Sequence, residues 1–417
     1  MAAENKNTTA ITKETSLRST KQSAHQEEIA TAKKPRNDVR VPKLRFKEFD
    51  GDWEKKRLGN IAKVSSGGTP SRINIKFWNG NIPWITTSLI NFNIISDSVE
   101  KITEEALINS SAKLFPIGTI LMAMYGQGKT RGKVARLGIE ATTNQACAAI
   151  IVSKKIDGNY LYQNLAGRYD EIRKLSNDGG QQNLSGGIIK LIKISIPNIQ
   201  EQQKIATFLT SVDDKIEQLT QKKTLLEQYK KGVMQQVFSK QLRFKTDDGS
   251  DFTNWEEKKL GEVCDSIKSG KSKSNETGVF PLYGSTGIIG KCDDFSHDGF
   301  FILIARVGAN SGTINVVNDK FGVSDNTLVV VCNNAIDIKF IYFYLDFYNL
   351  NRLVFGSGQP LITGGQLKSL KLNIPSLKEQ QKIATYLSAI DIKIENVQTQ
   401  IAKTQTFKKG LLQQMFV

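Results

Sequence analysis

The amino-acid sequence predicts an α/β (α+β) protein with two similar mixed domains, each followed by one long helix. The first observation is an internal repeat, because residues 198–238 recur without a gap as residues 376–416. The second is that both domains open alike, with Leu44-Arg-Phe and Leu242-Arg-Phe each followed by a Trp and a Lys-x-Leu-Gly run. The third is the set of short apolar runs between glycines inside each domain. An internal repeat of this kind governs the whole fold assignment.

The repeat divides the chain into a tail and four further segments. The tail, residues 1–41, is rich in Ala, Thr, Lys, Gln and Glu and has no aromatic residue, so we expect it to be mobile or partly helical. The first domain covers 42–197 and the first spacer helix 198–239. The second domain covers 240–375 and the second spacer helix 376–417.

Short apolar runs predict the strands of both domains. They lie at 82–87, 119–124 and 146–152 in the first domain, and at 280–283, 300–304 and 327–332 in the second. We expect Phe46, Trp53, Phe244 and Trp255 to anchor the two cores.

The two long helices carry start signals and an apolar stripe. Asn198 with Glu201, and Ser376 with Glu379, predict capping boxes. Apolar residues then recur at alternating steps of three and four, although Lys223 and Lys230 interrupt the first stripe. This heptad pattern predicts a two-helix coiled coil of roughly 60 Å. If the two helices pair antiparallel, the chain acquires a pseudo-two-fold axis. The predicted pairing residues are Ile205, Leu209, Val212, Ile216 and Leu219, with Ile383, Leu387, Ile390, Ile394 and Val397.

The chain has a formal net charge of +16, which favours DNA, RNA or an acidic surface as partner. No apolar run approaches the length of a membrane span and no signal peptide is evident, so we expect a cytoplasmic protein without a membrane partner. The four cysteines form no CxxC pair, and the two histidines have no partner pattern. The sequence therefore predicts no catalytic cluster and no metal site.

One segment resembles a phosphate-binding loop. Residues 123–130 end in Gly128-Lys-Thr after a predicted strand. The residues that follow contain two glycines and no helical apolar stripe, whereas a phosphate loop needs a helix there. We interpret the segment as a basic loop between strands, in which Lys129, Arg131 and Lys133 suit nucleic-acid phosphates.

Polar loops occupy equivalent places in the two domains while the sequence between them differs. Residues 65–72 correspond to 268–274, residues 86–88 to 284–287, and residues 179–182 to 356–359. Such loops are often ordinary solvated turns, but their side chains also suit base edges and phosphates. A shared scaffold with different loops is what two modules that read different sequences need. The candidate DNA contacts are Arg72, Thr86, Thr87, Ser88, Tyr125, Gln127, Lys129 and Arg131, then Lys271, Lys273, Ser285, Thr286, Arg306, Asn310, Ser311 and Gln359.

The order of domain, Ile-Pro-x-x-x-Glu-Gln-Gln-Lys-Ile-Ala helix, domain and second such helix resembles the DNA-specificity subunit of type I restriction–modification enzymes. Further motifs of this resemblance are Ser66-Gly-Gly-Thr-Pro-Ser-Arg72, Trp78-Asn-Gly-Asn-Ile-Pro-Trp84 and 280–290. The resemblance covers about residues 42 to 417 and leaves the tail without a role.

The resemblance implies a non-catalytic chain that binds no cofactor itself. Each domain would be a target recognition domain that reads one half of a split double-stranded DNA sequence, and the helices would set the gap. Two methyltransferase subunits would bring S-adenosylmethionine, and two restriction subunits would use ATP and Mg. Two alternatives remain open: a coiled-coil scaffold that binds proteins, and a phosphate-loop nucleotide hydrolase that uses Lys129 and Thr130.

Overall fold

The computed structural model describes residues 29–31 and 41–417, apart from 127–128, 176–182 and 357. The chain forms two compact units. Unit 1 runs to Gln218 and includes Ile401–Val417, and unit 2 is Leu219–Gln400. Each unit contains one mixed domain and a part of both long helices. The prediction for the tail falls outside the described residues, except that Ile29–Thr31 form a strand paired with Leu44–Phe46.

Unit 1 is built on a five-stranded sheet of order β4-β11-β8-β9-β6, in which every neighbouring pair except β9–β6 is antiparallel. Smaller sheets join β10-β5-β7, β3-β12 and β1-β2. The described strands are β1 (Ile29–Thr31), β2 (Leu44–Phe46), β3 (Glu54–Arg57), β4 (Ala62–Ser66), β5 (Trp78–Ile85), β6 (Ile94–Ile95), β7 (Lys101–Ile102), β8 (Ile120–Ala123), β9 (Val134–Leu137), β10 (Thr142–Thr143), β11 (Cys147–Val152) and β12 (Lys193–Ile196).

Short helices cover the sheet of unit 1, and the first long helix begins there. The helices are α1 (Leu58–Ile61), α2 (Glu104–Ile108), α3 (Gly158–Gly167), α4 (Tyr169–Lys174), α5 (Gly186–Leu191) and α6 (Ile199–Phe238), with 3-10 turns at Ile75–Phe77 and Thr87–Leu89. Leu161 and Leu165 of α3 are fully buried in one cluster with Ile120 and Ile150 of the sheet. The sheet therefore carries α3 on one face.

Unit 2 has one six-stranded sheet of order β14-β19-β17-β18-β15-β16, in which only β15–β18 is parallel. The separate pair β13–β20 corresponds to β3–β12 of unit 1. The strands are β13 (Glu256–Lys259), β14 (Cys264–Ser269), β15 (Phe280–Gly284), β16 (Gly287–Cys292), β17 (His297–Ala305), β18 (Ile314–Val323), β19 (Thr327–Cys332) and β20 (Lys371–Ile374). The helices are α7 (Leu260–Val263), α8 (Ile338–Tyr348), α9 (Gly364–Ser369) and α10 (Leu377–Met415), with a 3-10 helix at Leu350–Leu353.

The predicted strands are present in both domains. The segment predicted at 327–332 has those bounds in the structure, and the others shift by a few residues at their ends. Trp53 and Trp255 are 1% and 8% exposed, which confirms that they are core residues. Phe46 is buried and Phe244 packs against the core of unit 2.

Within each unit the beginning of one long helix meets the end of the other. In unit 1, Ile205, Leu209 and Val212 of α6 share an apolar cluster with Leu411 and Met415 of α10. In unit 2, residues near the end of α6 share a cluster with Ile383, Leu387 and Ile390 of α10. Leu219 and Val397 are also buried, and Ile216 and Ile394 pack partly buried against these clusters.

The prediction of capping boxes was half right for α6 and wrong for α10. Asn198 Oδ1 accepts the amide of Glu201 at 2.9 Å, as an N-cap should. Among the described residues, the Ser376 hydroxyl has no hydrogen-bond partner. The carboxylates of Glu201 and Glu379 do not turn back to the cap, because each is fully buried and bound to the start of its domain.

Each buried glutamate joins its long helix to the opening segment of the domain. Glu201 accepts two hydrogen bonds of 2.7 Å from Arg45 and one of 3.3 Å from the Trp53 indole. Glu379 accepts bonds of 3.1 and 2.7 Å from Arg243 and one of 3.1 Å from the Trp255 indole. Together these satisfy a charge that would otherwise be costly to bury.

The glutamine that follows makes a second set of matched contacts. Gln202 donates to Pro197 O and accepts the Asp157 amide, both at 2.9 Å. Gln380 does the same with Pro375 O and the Asp337 amide. We call these glutamate and glutamine bonds the anchor contacts; they explain why Arg, Trp and Glu-Gln recur together.

Candidate nucleic-acid interface

Several loops of unit 1 leave the five-stranded sheet at the same edge. β4 ends beside the start of β11, because Ser66 pairs with Ala148. β8 ends beside the starts of both β11 and β9, and Ala123 pairs with Cys147. The loops that this register gathers are 67–74, 124–133 and 144–146.

The polar segment after β5 joins this edge, because the Asn144 amide donates to Ile85 O at 3.0 Å. Thr86 and Thr87 are half-buried and Ser88 is exposed. The Thr86 and Ser88 hydroxyls lie 2.7 Å apart, so the short 3-10 turn holds both in place.

Two tryptophans fix the loop 67–74. The Trp84 indole donates to Gly68 O at 3.0 Å, and the Trp78 indole donates to Ser71 O at 3.1 Å. Gly68 also donates its amide to Thr143 O at 2.8 Å. A side chain at Gly67 would lie 2.0 Å from Thr143 O, so only glycine permits this close approach.

Arg72 is held on the same two tryptophans. Its guanidinium lies 3.7 Å from the Trp78 ring centroid and 4.9 Å from that of Trp84, and it pairs with Glu100. The side chain remains 54% exposed. Because stacking and one ion pair leave further N–H groups facing solvent, Arg72 can still present a guanidinium edge to a ligand.

The loop 124–133 has an outward and an inward part. Tyr125 is 41% exposed and Lys129 is exposed, whereas Gln127 lies outside the described residues. The Lys129 carbonyl accepts the Tyr169 hydroxyl at 2.6 Å. Arg131 donates to Arg173 O at 3.0 Å and is partly buried, so it ties the loop to α4. This bond holds the loop against α4, and the DNA contact of Arg131 stays a prediction.

The segment that resembled a phosphate loop is not followed by a helix. Residues 129–132 form turns and β9 begins at Val134. The Gly132 amide donates to Ala123 O at 2.9 Å, which closes the connection between β8 and β9. This geometry matches the predicted loop between strands; Gly128 itself lies outside the described residues.

Unit 2 repeats this backbone arrangement. The Arg306 amide donates to Asn326 O at 2.9 Å, as the Met124 amide donates to Ala146 O. The Gly312 amide donates to Ala305 O at 2.8 Å, and Gly312 shares with Gly132 a φ of 84°. The ends of β14 and β17 both lie beside the start of β19, and the Ser324 amide donates to Tyr283 O at 2.9 Å. The Gly308 amide donates to Pro360 O at 2.9 Å. The segments that begin at 270, 285, 306 and 358 therefore form the matching edge of unit 2.

The side chains on this edge of unit 2 differ from those of unit 1. Five of the candidates are exposed: Lys271, Lys273, Thr286, Asn310 and Gln359. Ser285 is half-buried and donates to Asn326 O at 2.7 Å. Arg306 is half-buried, and its guanidinium lies 3.5 Å from Asp325 O.

Ser311 was predicted as a DNA contact, and the structure does not support that role. It is 4% exposed, and its hydroxyl lies 2.7 Å from Gly308 O and 2.8 Å from Pro360 O. The hydroxyl therefore joins two loops of the protein. Ser311 occupies the position that Arg131 has in unit 1, next to the glycine of positive φ, and both side chains point inward.

Sequence reasoning missed several residues of this edge. Asn91 accepts Lys133 Nζ at 2.7 Å, and Gln145 bonds Thr69. Ile73 and Ile75 are 93% and 80% exposed beside Arg72. The available signal was the spacing of Trp78 and Trp84 after a Gly-Gly loop, which marked the loop but not its neighbours.

Among the described residues of this edge, the groups with shifted pKa values form no acid–base pair. Burial raises the pKa of the Cys147 thiol to about 12 and lowers the pKa of His297. Within the part of the chain that the structure describes, no three His, Cys, Asp or Glu side chains are grouped as metal ligands. No described helix combines the length and apolar character needed to cross a bilayer.

Comparison with known proteins gives one consistent result. The family model described as "Type I restriction modification DNA specificity domain" matches residues 50–228 and again 253–405. The type I restriction enzyme EcoR124I/EcoR124II specificity subunit of Escherichia coli is 36% identical over 200 residues, which is 46% of this chain and 48% of that relative. The MjaIX specificity subunit of Methanocaldococcus jannaschii is 28% identical over 413 residues, 88% of this chain and 94% of that relative.

A solved structure shares the fold. The type I restriction-modification S subunit from M. genitalium has a TM-score of 0.63 at 18% identity, over 90% of this chain and 99% of that one. The two family matches fall on the two domains whose loop edges were described above. The chain therefore belongs to the family of type I restriction-modification DNA specificity domains and contains two such domains.

Proposed function

We propose that this chain is the specificity subunit of a type I restriction–modification enzyme and reads a split double-stranded DNA target. The observation that carries this proposal is that two units repeat one loop edge with different exposed side chains. Matching backbone bonds at the two edges fit the same ligand, and different side chains fit different base sequences. The net charge of +16 suits the phosphate backbone.

The candidate side chains divide by chemistry into two kinds of contact. Lys129, Lys271 and Lys273 carry point charges on loops and suit phosphates. Arg72 presents a planar guanidinium on a rigid loop and suits the O6/N7 edge of guanine. Neutral polar side chains suit other base edges, and they are Thr86, Thr87, Ser88, Tyr125, Gln127, Thr286, Asn310 and Gln359. Arg131, Ser285, Arg306 and Ser311 hold the loops that carry them.

The two long helices would act as the spacer. The clusters in unit 1 and unit 2, each joining the beginning of one helix to the end of the other, support an antiparallel coiled coil with a pseudo-two-fold axis. In such an arrangement the rod length sets the number of unread base pairs between the half-sites. The anchor contacts would hold each domain on this rod.

The catalytic work would belong to partners. Two methyltransferase subunits would supply S-adenosylmethionine and the adenine-methylating site, and two restriction subunits would use ATP and Mg. This chain would bind none of these cofactors and would act in the cytoplasm, where the DNA is. Exposed apolar residues on the long helices, such as Leu225 and Ile392 at 64% and 58% exposure, are available for protein contacts.

The test is to co-express the chain with its candidate methyltransferase subunit and to sequence the host DNA for methylated adenine. We expect a split motif with a fixed gap, methylated on both strands. A stable complex that adds no methylation would contradict the proposal. Measuring DNA binding at several salt concentrations distinguishes a DNA-reading subunit from a protein-binding scaffold. Binding through phosphate contacts weakens steeply with added salt, whereas a scaffold has no such DNA binding to lose.

A further inference from the structure

Two Lys–Asp ion pairs interrupt the apolar contacts of the long helices. In unit 1, Lys408 of α10 pairs with Asp213 of α6. In unit 2, Lys230 of α6 lies 2.7 Å from Asp391 of α10. Both lysine side chains are only 14% exposed, and the carboxylates are 35% and 37% exposed. Sequence reasoning recognised Lys230 as an interruption of the stripe but not its partner.

The two pairs occupy equivalent positions of the internal repeat. Lys230 and Lys408 each open a Lys-Lys-Gly run, and Asp213 and Asp391 each follow a β-branched residue of the apolar stripe. In both pairs the lysine lies in the second half of one helix and the aspartate in the first half of the other. A charge pair that recurs in this way is a feature of the helix pairing, not of one domain.

Each pair also contacts the globular part of its unit. In unit 1, Gln163 of α3 is 1% exposed and donates to the free oxygen of Asp213 at 2.7 Å. In unit 2, Lys230 Nζ lies 5.0 Å from the Phe343 ring and 5.9 Å from the Tyr342 ring, both on α8. The ion pairs therefore stand where two long helices and one domain helix meet.

An apolar stripe alone defines helix register weakly, because Ile, Leu and Val can exchange places. A slip by one heptad moves a helix by about 10 Å, which is roughly three base pairs of DNA. Such a slip would leave each half-buried lysine and aspartate without its partner. Buried polar positions are a known means of excluding alternative registers.

We infer that Lys408–Asp213 and Lys230–Asp391 are positioning residues that fix the register of the two helices and hence the gap between the two DNA half-sites. This inference rests on the proposed function. In this inference two specific ion pairs select the gap between the half-sites. If the length of the helices alone selected it, no single contact would matter.

The experiment uses the complete complex with the methyltransferase subunit and a set of duplexes in which the gap varies by single base pairs. The variants are Lys408→Asp, the exchanged pair Lys408→Asp with Asp213→Lys, and the control Lys409→Asp, which makes the same charge change at an exposed neighbour. We expect Lys408→Asp to lower methylation at the native gap about tenfold relative to other gaps. The exchanged pair should restore the native profile, since the Gln163 amide can turn its oxygen toward a lysine.

A wild-type gap profile for Lys408→Asp, or an exchanged pair as impaired as the single variant, would overturn the inference. If Lys408→Asp fails to fold, the exchanged pair still decides, because recovery requires the opposite charges to meet. A wild-type complex that methylates no split target at any gap would instead refute the proposed function. In unit 2 the exchange should rescue less well, because it would place an aspartate at 230, where burial raises the pKa of the Asp346 carboxyl and the Lys230 charge now lowers it.

Discussion

Unit 1 and unit 2 have the same buried polar contacts at the helix but present different side chains at the loop edge. The anchor contacts of Glu201 and Glu379 match bond for bond. At the edge, unit 1 presents Arg72 on two tryptophans, whereas unit 2 presents a β15–β16 hairpin turn with Thr286. Buried polar bonds therefore fix how each domain joins the long helices, while the edge is free to carry other side chains.

The largest effect should come from breaking an anchor contact. Glu201→Ala leaves Arg45, which is 12% exposed, without its carboxylate, and should cost about 3–5 kcal/mol of unfolding free energy. Glu379→Ala should cost less, because Arg243 is 25% exposed and can recover hydration. Urea denaturation followed by tryptophan fluorescence measures both.

The matched control for the anchor contacts is Glu54→Ala. Glu54 pairs with Lys56 at the surface, where it is 68% exposed, so its loss should cost at most about 0.5 kcal/mol. If Glu201→Ala were no more destabilising than this control, the buried contact would not hold the domain on the helix.

The next effect should separate a base contact from a phosphate contact. Arg72→Ala should weaken binding by about 1–3 kcal/mol on DNA that carries the half-site of the first domain, and little on other DNA. Lys271→Ala should weaken binding on all sequences and reduce the salt dependence by about one released counterion. Competition binding at several salt concentrations measures both variants, and Arg72→Lys tests whether charge alone suffices. Equal loss on every sequence for Arg72→Ala would make it a phosphate contact.

A smaller effect distinguishes two neighbouring loops of unit 2. Ser311→Ala removes a hydroxyl that bridges two loops and should cost about 1 kcal/mol of stability with the base preference unchanged. Thr286 is exposed, so Thr286→Ala should alter the base preference and leave the stability unchanged. Denaturation and binding to a panel of single-base variants check the pair. Reversed results would mean that the assignment of the two residues is wrong.

The smallest effect is a pH dependence confined to unit 2. Burial holds the pKa of His297 below its usual 6.5, so the folded state binds a proton less readily than the unfolded chain. The unfolded state therefore binds more protons below about pH 6.5, and unit 2 should lose stability as the pH falls through that range. His297→Phe should remove this dependence in denaturation curves at pH 5.5 to 7.5. An unchanged slope would show that another group is responsible.

The fold was predictable where a pattern is local. The heptad stripe gave both long helices, and the apolar run at 327–332 gave β19 with its observed bounds. The role of the glutamate in each predicted capping box was not predictable, because the carboxylate of Glu201 binds Arg45, a residue far away in the sequence. The sequence pattern of a cap residue followed three residues later by Glu is the same in both cases: when the carboxylate bonds the cap amide, and when it is buried against another segment.

The loop edge was predictable as a region but not residue by residue. Of the polar loops matched between the domains, those at 65–72 and 86–88 lie together at one edge of the sheet in unit 1. The direction of each side chain depends on turns whose geometry is set by distant contacts: Gly132 and Gly312 reverse the chain and send Arg131 and Ser311 inward. The ion pairs of the rod were missed for the same reason, since each joins residues of two helices that are far apart in the chain.

The most direct test of the account is a chain in which the second domain, residues 240–375, is replaced by a second copy of the first, residues 42–197. Because both domains make the same anchor contacts, this chain should fold and join the methyltransferase subunit. Sequencing methylated adenine in host DNA should then show the first half-site twice, as an inverted repeat with the native gap. An unchanged second half-site, in a complex that still forms and methylates, would contradict the claim that each domain reads its own half.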